Sequence, residues 1–183
     1  MVAHRAILRN RWLRIVDMLA QPRLGGGLRV VPDRISREVV IDAPPEVVWA
    51  IVTEPRHVAR WFSDEAEIDL RPGGSMLLTW HGHGAYRARV EAVEPLHTFA
   101  FRWLRREDNE PGDGTSTRVE ITLAPEGPRT RLRVVETGFQ QLTWAEADKA
   151  RYAEENTQGW IQELNELRDY AARLGSSPTG HER

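Results

Sequence analysis

The chain of 183 residues contains no cysteine, which excludes disulfides, thiolate metal sites and cysteine nucleophiles. No stretch approaches the roughly 20 consecutive apolar residues that a membrane-spanning helix requires. The N-terminal segment also lacks the uninterrupted apolar core of a signal peptide, because Arg9, Arg11, Arg14 and Asp17 break it. We therefore expect a cytoplasmic protein without a membrane span.

Lysine is almost absent too, since Lys149 supplies the only one. The formal net charge of −2 provides no general basic field, so no nucleic-acid partner is expected. The charge is unevenly spread, however. Residues 1–33 hold six arginines against two aspartates and end in the segment "QPRLGGGLRVVPD". We interpret residues 1–33 as an N-terminal extension that ends in a glycine-rich linker.

Within that extension, residues 4–20 are predicted to form an amphipathic basic helix. Leu8, Trp12, Ile15 and Leu19 recur at helical spacing along one face. Such a helix could dock on the domain, pair two copies into a homodimer, or bind a partner or a membrane surface. A flexible extension, or a start codon assigned too early, are further alternatives that the spacing leaves open.

Sequence motifs that identify enzymes are missing as well. The chain has no Gly-x-Ser-x-Gly motif, no phosphate-binding glycine-rich loop before a helix, and no HExxH motif. His81 and His83 could share a metal ion if both lay on one strand, but Gly82 and Gly84 favour a hairpin turn with solvated histidines. A binding protein with no metal and no cofactor is therefore favoured over an enzyme.

The body of the chain begins with a strand, "ISREVVID", and two short helices. The first helix starts after Ala43 at two prolines, where a missing N–H is tolerated, and Glu46 complements the helix dipole. Pro55 cannot continue that helix and starts a second one, in which Val58, Trp61 and Phe62 share a face. This second helix could be a plain core element or could close one end of a pocket.

Alternating apolar and polar residues then predict a run of about six antiparallel strands between residues 66 and 139. Thr143 to Glu146 fits a capping box before a long helix, in which Trp160, Leu164, Leu167 and Leu174 form the buried stripe. The segment 104–117 is interpreted as a charged hairpin loop, and residues 175–183 as a disordered tail.

This order predicts an α+β fold. A curved antiparallel sheet of about six to seven strands wraps around the long C-terminal helix, and two short helices lie between the first and second strands. The domain is expected to span residues 34–174, with a cavity between the sheet and the long helix.

Several ordered segments resemble one known family. They are "APPEVVWAIVTEP" followed by "WF", then "DLRPGGS", "VEAVEPLHTFAFRW" and "TRVEITLAPEGPRTRLRVVETGF". Together they resemble the activator of heat shock protein 90 ATPase homologue-like family of the START/Bet v 1-like (SRPBCC) superfamily. The resemblance covers roughly residues 34–174 and implies the helix-grip fold.

The function expected from the fold and the resemblance is binding of a small hydrophobic or aromatic ligand, with a sensing or stress role. Two alternatives stay open. One is a co-chaperone that activates heat shock protein 90 or a protein that partners a transcriptional regulator. The other is an enzyme of the cyclase or aromatase kind. Fold alone does not separate these functions.

The predicted cavity walls are mostly aromatic. Glu136 continues the inward alternation of Leu132 and Val134, so it is expected to face the cavity, where a carboxylate needs a partner or a raised pKa. Pairing with an arginine, or a twist near Gly138 that turns the side chain outward, are alternatives for it. The full set of predicted cavity residues is Trp61, Phe62, Trp80, Tyr86, Phe99, Phe101, Trp103, Glu136, Phe139 and Trp160.

Overall fold

The structure is a computed structural model that describes residues 30–103 and 114–175. Four predictions therefore lie wholly or mostly outside the described residues. These are the N-terminal helix over residues 4–20, the glycine-rich linker, most of the loop 104–117 and the C-terminal tail.

One antiparallel sheet of seven strands forms the body of the domain. Its strands are β1 (Arg34–Ile41), β2 (Glu65–Ile68), β3 (Ser75–Trp80), β4 (Gly84–Glu94), β5 (Thr98–Trp103), β6 (Thr117–Glu126) and β7 (Arg129–Thr137). They lie in the order β1-β7-β6-β5-β4-β3-β2, so β2 to β7 form a continuous meander. The first strand, β1, pairs with the last strand, β7, and forms the edge of the sheet opposite β2.

Three helices complete the described fold: α1 (Pro45–Thr53), α2 (Pro55–Trp61) and α3 (Glu146–Gly175). Both short helices begin with proline in the first turn, as the sequence predicts. The long helix α3 packs across the inner face of the sheet, and α1 and α2 contact both α3 and the sheet. The predicted α+β helix-grip architecture is confirmed.

The inner face of the sheet carries the core. In β6 and β7 the buried residues alternate with more exposed ones, and the facing stripe of α3 includes Trp160, Leu164 and Leu167. Glu136 shares this inner face with Val134 and Leu132, and the strand ends one residue later. Gly138 then turns the chain at a φ of +100°, a region that favours glycine, so the twist follows Glu136 and leaves it facing inward.

The predicted capping box at the start of α3 is wrong. The helix begins at Glu146, and the carbonyl of Ala145 accepts its first backbone bonds from Asp148 and Lys149. Thr143 lies too early to cap these groups. Its hydroxyl instead donates to the carbonyl of Gly114 at 3.2 Å, which ties the start of the helix to the segment before β6.

Candidate functional site

A cluster of five aromatic rings occupies the space between the sheet, α2 and α3, and Phe62 lies at its centre. The ring of Phe62 contacts four indoles, with centroid distances of 5.0 Å to Trp61, 5.7 Å to Trp80, 5.8 Å to Trp103 and 5.6 Å to Trp160. The contact with Trp160 is a stack, with the ring planes 11° apart. Residues from α2, β3, β5 and α3 therefore converge on one ring.

The vacant space beside this cluster is small. A cavity of about 10 Å³ lies between the short helices, the sheet and α3. Its walls are all apolar: Val52, Val58, Trp61, Phe62, Met76, Phe99, Phe101, Ile121 and Trp160. About 10–15 Å³ is the least that a water molecule needs, and an apolar site offers it no partners. The side chains thus nearly fill the space where a ligand cavity is predicted.

Glu136 lies next to the cluster and is completely buried. Its Oε1 accepts hydrogen bonds from Trp103 Nε1 at 3.1 Å, Thr117 Oγ1 at 2.5 Å and Asn156 Nδ2 at 2.9 Å. Its Oε2 accepts one from Trp160 Nε1 at 2.7 Å. The carboxylate thus joins β5, β6 and β7 to α3. It also fixes the orientation of two indoles that border Phe62: Trp103 on the side of the sheet and Trp160 on the side of the long helix.

The pKa of Glu136 is raised above its ordinary value because burial removes the carboxylate from water. The hydrogen bonds from Thr117, Trp160, Trp103 and Asn156 oppose this effect, since they favour the charged form. None of these four donors is a cation, so no ion pair among the described contacts offsets the loss of hydration. Burial therefore outweighs the four donors, and Glu136 gains a proton more readily than a carboxylate in water.

Hydrogen bonds tie α1 and α2 to each other and to the rest of the domain. Trp61 Nε1 donates to the carbonyl of Ile51 at 3.0 Å, which joins the two helices. Trp80 Nε1 in β3 donates to the carbonyl of Phe62 at 3.0 Å, at the end of α2. At the other end of α2, His57 Nδ1 and Tyr170 Oη lie 2.7 Å apart, which links this helix to α3. The two short helices therefore form a cover over the aromatic cluster.

Most of the predicted cavity residues lie together. Trp61, Phe62, Phe99, Phe101 and Trp160 line the small cavity. Trp80, Trp103 and Glu136 adjoin it through the contacts described above. Tyr86 contacts the ring of Trp80 edge-on at 5.3 Å and is not among the residues that line the cavity. Phe139 is fully buried but packs against Tyr152 at 5.7 Å and is not among the residues that line the cavity.

His81 and His83 flank Gly82 at the turn between β3 and β4. The turn between β3 and β4 holds Gly82 with positive φ, as the sequence indicates, and the exposed His81 pairs with Glu65 at 2.9 Å. The pKa of His81 is raised by its hydrogen bond to Glu65. Within residues 30–103 and 114–175, no group of three histidine, aspartate or glutamate side chains could hold a metal ion.

Two polar residues of the site escape sequence reasoning. Thr117 lies directly opposite Trp103 in the register of β5 and β6, which places its hydroxyl next to Glu136. Asn156 precedes Trp160 by one helical turn, so both reach the same carboxylate from α3. The sequence does hold a signal for Asn156. It is an asparagine four residues before Trp160, on the stripe of the helix that faces the sheet.

A second depression lies at the edge of the sheet, where β2, β3 and β4 meet. It encloses about 500 Å³ and is lined by residues that include Glu67, Asp69, Ser75 and Arg87. All four are exposed, and the remaining walls are Ile68, Met76, Leu77 and Ala88. The depression is therefore an exposed groove of mixed polarity and not the enclosed apolar chamber that the sequence predicts.

The fold and the buried cluster together define a helix-grip protein of the START/Bet v 1-like superfamily, with an aromatic interior closed by two short helices. The chain belongs to the family described as "Activator of Hsp90 ATPase homolog 1-like protein", which matches residues 42–172. No curated protein matches the sequence. Of the helices in the described part of the chain, none is long and apolar enough to cross a membrane.

Solved structures share the fold at low sequence identity. Protein MLL2253 from Mesorhizobium loti is 25% identical with a TM-score of 0.64, and the match covers 76% of this chain and 97% of that one. The Aha1 dimer from Colwellia psychrerythraea is 19% identical, with a TM-score of 0.63 and coverage of 79% and 98%. CalU16 from Micromonospora echinospora is 24% identical, with a TM-score of 0.58 and coverage of 78% of each chain.

Proposed function

We propose that this domain binds a small, neutral, largely aromatic molecule in the interior between the sheet and α3. The observation that carries the proposal is the aromatic cluster itself. Four indoles and one phenyl ring converge under a cover of two short helices. Ligand sites are mostly apolar with a few placed polar groups, and this interior has that composition.

Glu136 has a supporting role in this proposal. Its carboxylate accepts hydrogen bonds from Trp103 and Trp160, so it holds two walls of the site at fixed angles. It orients a ligand through these indoles, while the ligand itself contacts carbon surfaces. Burial of that apolar surface drives binding, at roughly 25 cal/mol per Å² before the costs of ordering are subtracted.

Binding requires the interior to make room, because the cavity of about 10 Å³ is smaller than any aromatic molecule. The bond between His57 and Tyr170 and the bond from Trp80 to the Phe62 carbonyl anchor α2 at its two ends. The room must therefore come mainly from side chains beneath the helix. We expect binding to be slower than a diffusion-limited encounter, since a conformational step limits it.

The test combines native mass spectrometry of the purified chain with calorimetric titration by indole, 2-naphthol and naphthalene. The expected result is a bound cargo or a titration with negative ΔCp, the signature of apolar burial. Ile121→Phe fills the cavity from β6 and should abolish this binding. The matched control Thr122→Phe places the same ring on the outer face of the sheet. A folded wild type with neither cargo nor probe binding at millimolar concentration contradicts the proposal.

Membership of the Hsp90-activator family favours a second candidate, a co-chaperone or a partner of another regulatory protein. This candidate predicts that the purified chain raises the ATPase rate of heat shock protein 90. An unchanged rate at saturating concentrations of the chain would contradict it.

The buried carboxylate with a raised pKa favours a third candidate, an enzyme of the cyclase or aromatase kind with Glu136 as acid or base. In that case Glu136→Gln should lose activity on an aromatic substrate with its fold intact. Equal turnover by the variant would exclude the role.

A further inference from the structure

The ring of Phe62 fills the centre of the interior that the proposed function assigns to a ligand. Its side chain is almost completely buried, and it stacks on Trp160 while its other neighbours meet it at larger angles. The residual cavity of about 10 Å³ directly adjoins this ring. The interior therefore already holds an aromatic ring, and that ring belongs to the chain itself.

We propose that the phenyl ring of Phe62 occupies the position of the ligand's aromatic ring, so that the structure represents a closed state and the ligand binds by displacing Phe62. This inference rests on the proposed function and adds a specificity-determining residue to it. The ligand class is a neutral, flat molecule of one or two fused rings, which takes over the stack on Trp160.

Phe62 differs from the other four rings in how it is held. Trp103 and Trp160 donate their indole N–H groups to Glu136, and Trp61 and Trp80 donate theirs to backbone carbonyls. A phenyl ring has no polar atom, so packing alone holds the side chain of Phe62. Among the five rings of the cluster, this is the one that can leave without breaking a hydrogen bond of its own side chain.

The backbone around Phe62 allows this movement. The residue lies at the end of α2, where its N–H donates to the carbonyl of Val58 at 3.0 Å and its carbonyl accepts from Trp80. Rotation about the bond between Cα and Cβ leaves both of these backbone bonds in place. The ring can therefore swing while the end of the helix stays anchored, which requires less rearrangement than removal of the whole cover.

The lining of the space defines which ligands fit it. The residues around the cavity carry no charged side chain, and the nearby carboxylate of Glu136 already accepts hydrogen bonds from four protein donors. An anionic ligand would meet no compensating cation there, and burial of an unpaired charge is costly. A neutral ring is the group that this space accepts.

The experiment measures binding of 2-naphthol by wild type, Phe62→Ala and Phe62→Leu, with calorimetry and with the indole N–H signals of isotopically labelled protein. Phe139→Ala is the matched control, because it removes the same ring from a fully buried site that packs on Tyr152. Wild type should bind weakly and shift the indole signals of Trp103 and Trp160. Phe62→Ala should bind 2-naphthol at least tenfold tighter than wild type, because no phenyl ring then keeps part of the protein population in the closed state.

Phe62→Leu should give an intermediate affinity, and it provides the same comparison where Phe62→Ala fails to fold. Phe139→Ala should retain the wild-type affinity and the wild-type shifts at Trp160. The displacement of Phe62 is refuted if wild type binds the probe but neither Phe62→Ala nor Phe62→Leu binds it more tightly. It is also refuted if the probe shifts indole signals other than those of Trp103 and Trp160. Either result leaves the proposed function standing. Wild type that binds none of indole, 2-naphthol and naphthalene and carries no cargo refutes both.

Discussion

The buried carboxylate of Glu136 makes a specific prediction for the variant Glu136→Gln. Four protein donors point at the two carboxylate oxygens, three at Oε1 and one at Oε2. A glutamine of the same shape has one oxygen and one NH₂ group, which is itself a donor. Whichever way the amide is placed, its NH₂ faces at least one of these donors and cannot accept a hydrogen bond from it. A carboxyl oxygen keeps acceptor lone pairs whether the group is ionised or protonated, so the loss applies to both forms.

The magnitude follows from the number of donors left without an acceptor. When the amide oxygen takes the position of Oε1, the indole N–H of Trp160 loses its carboxylate acceptor, and the reverse orientation removes the acceptor that Trp103, Thr117 and Asn156 share. The first orientation is therefore preferred. One buried unsatisfied donor costs about 1–3 kcal/mol. We expect Glu136→Gln to lower the free energy of unfolding by about that amount near pH 5.

The dependence on pH has a definite sign. The folded pKa of Glu136 is raised above the ordinary value of 4.5, so the folded state binds this proton more tightly than the unfolded state. Its contribution to stability is fully present below pH 4.5 and is lost as the pH rises through the folded pKa. Glutamine does not titrate. The difference between wild type and variant should therefore be largest in acid and should shrink as the pH increases.

Denaturant unfolding followed by tryptophan fluorescence between pH 4.5 and 8 measures this difference. Glu120→Gln is the matched control, because Glu120 lies on the outer face of β6 and pairs with Arg118 at 2.9 Å, a partly exposed pair worth little. Two results would refute the reasoning. A difference no larger than that of the control would mean that the four donors find other partners. A difference that grows with pH would mean that the hydrogen bonds outweigh burial and that the pKa is lowered.

Two further predictions concern the links of α3. Trp160→Phe removes the indole donor to Glu136 Oε2 and should destabilise the domain by about 1–3 kcal/mol in denaturant unfolding, more than Trp144→Phe in the half-buried segment before α3. Burial lowers the pKa of His57, and Arg56 has a smaller effect in the same direction. The unfolded state therefore binds this proton more tightly than the folded state, and stability falls as the pH drops below 6.5. His57→Phe should remove that acid-side loss and should also sacrifice the bond to Tyr170, worth about 0.5–1.5 kcal/mol. Equal acid sensitivity of variant and wild type would contradict the second prediction.

The alternation of residues predicts the sheet and its inner face because a strand has a side-chain period of two. It places Phe99, Phe101 and Trp103 on the buried face of one strand and Glu136 on the buried face of another, as observed. The prolines predict the starts of α1 and α2 for a similar reason, since the missing N–H is tolerated in a first helical turn. These features depend on local geometry, which sequence spacing encodes.

The filling of the interior could not be predicted in this way. Spacing assigns a side chain to a face, but whether Phe62 reaches Trp160 depends on the distance between α2 and α3. That distance is set by tertiary packing of several elements. The partners of Glu136 are equally non-local. Thr117 reaches it because β5 and β6 pair in a register that places Thr117 opposite Trp103, and Asn156 reaches it from a helix 20 residues away along the chain.

The chemistry of the Glu136 cluster indicates why a carboxylate stands there at all. A buried charge held by neutral donors costs hydration, and well-packed apolar residues of similar volume are often as stable or more so. Stability alone therefore gives little reason for this arrangement. The carboxylate does, however, accept the indole N–H groups of Trp103 and Trp160, which come from opposite sides of the interior. An apolar residue would accept neither indole N–H, so this constraint on the two rings would be lost if Phe62 is displaced as proposed. A site that must keep its shape when Phe62 moves needs this constraint, whereas a permanently filled core does not.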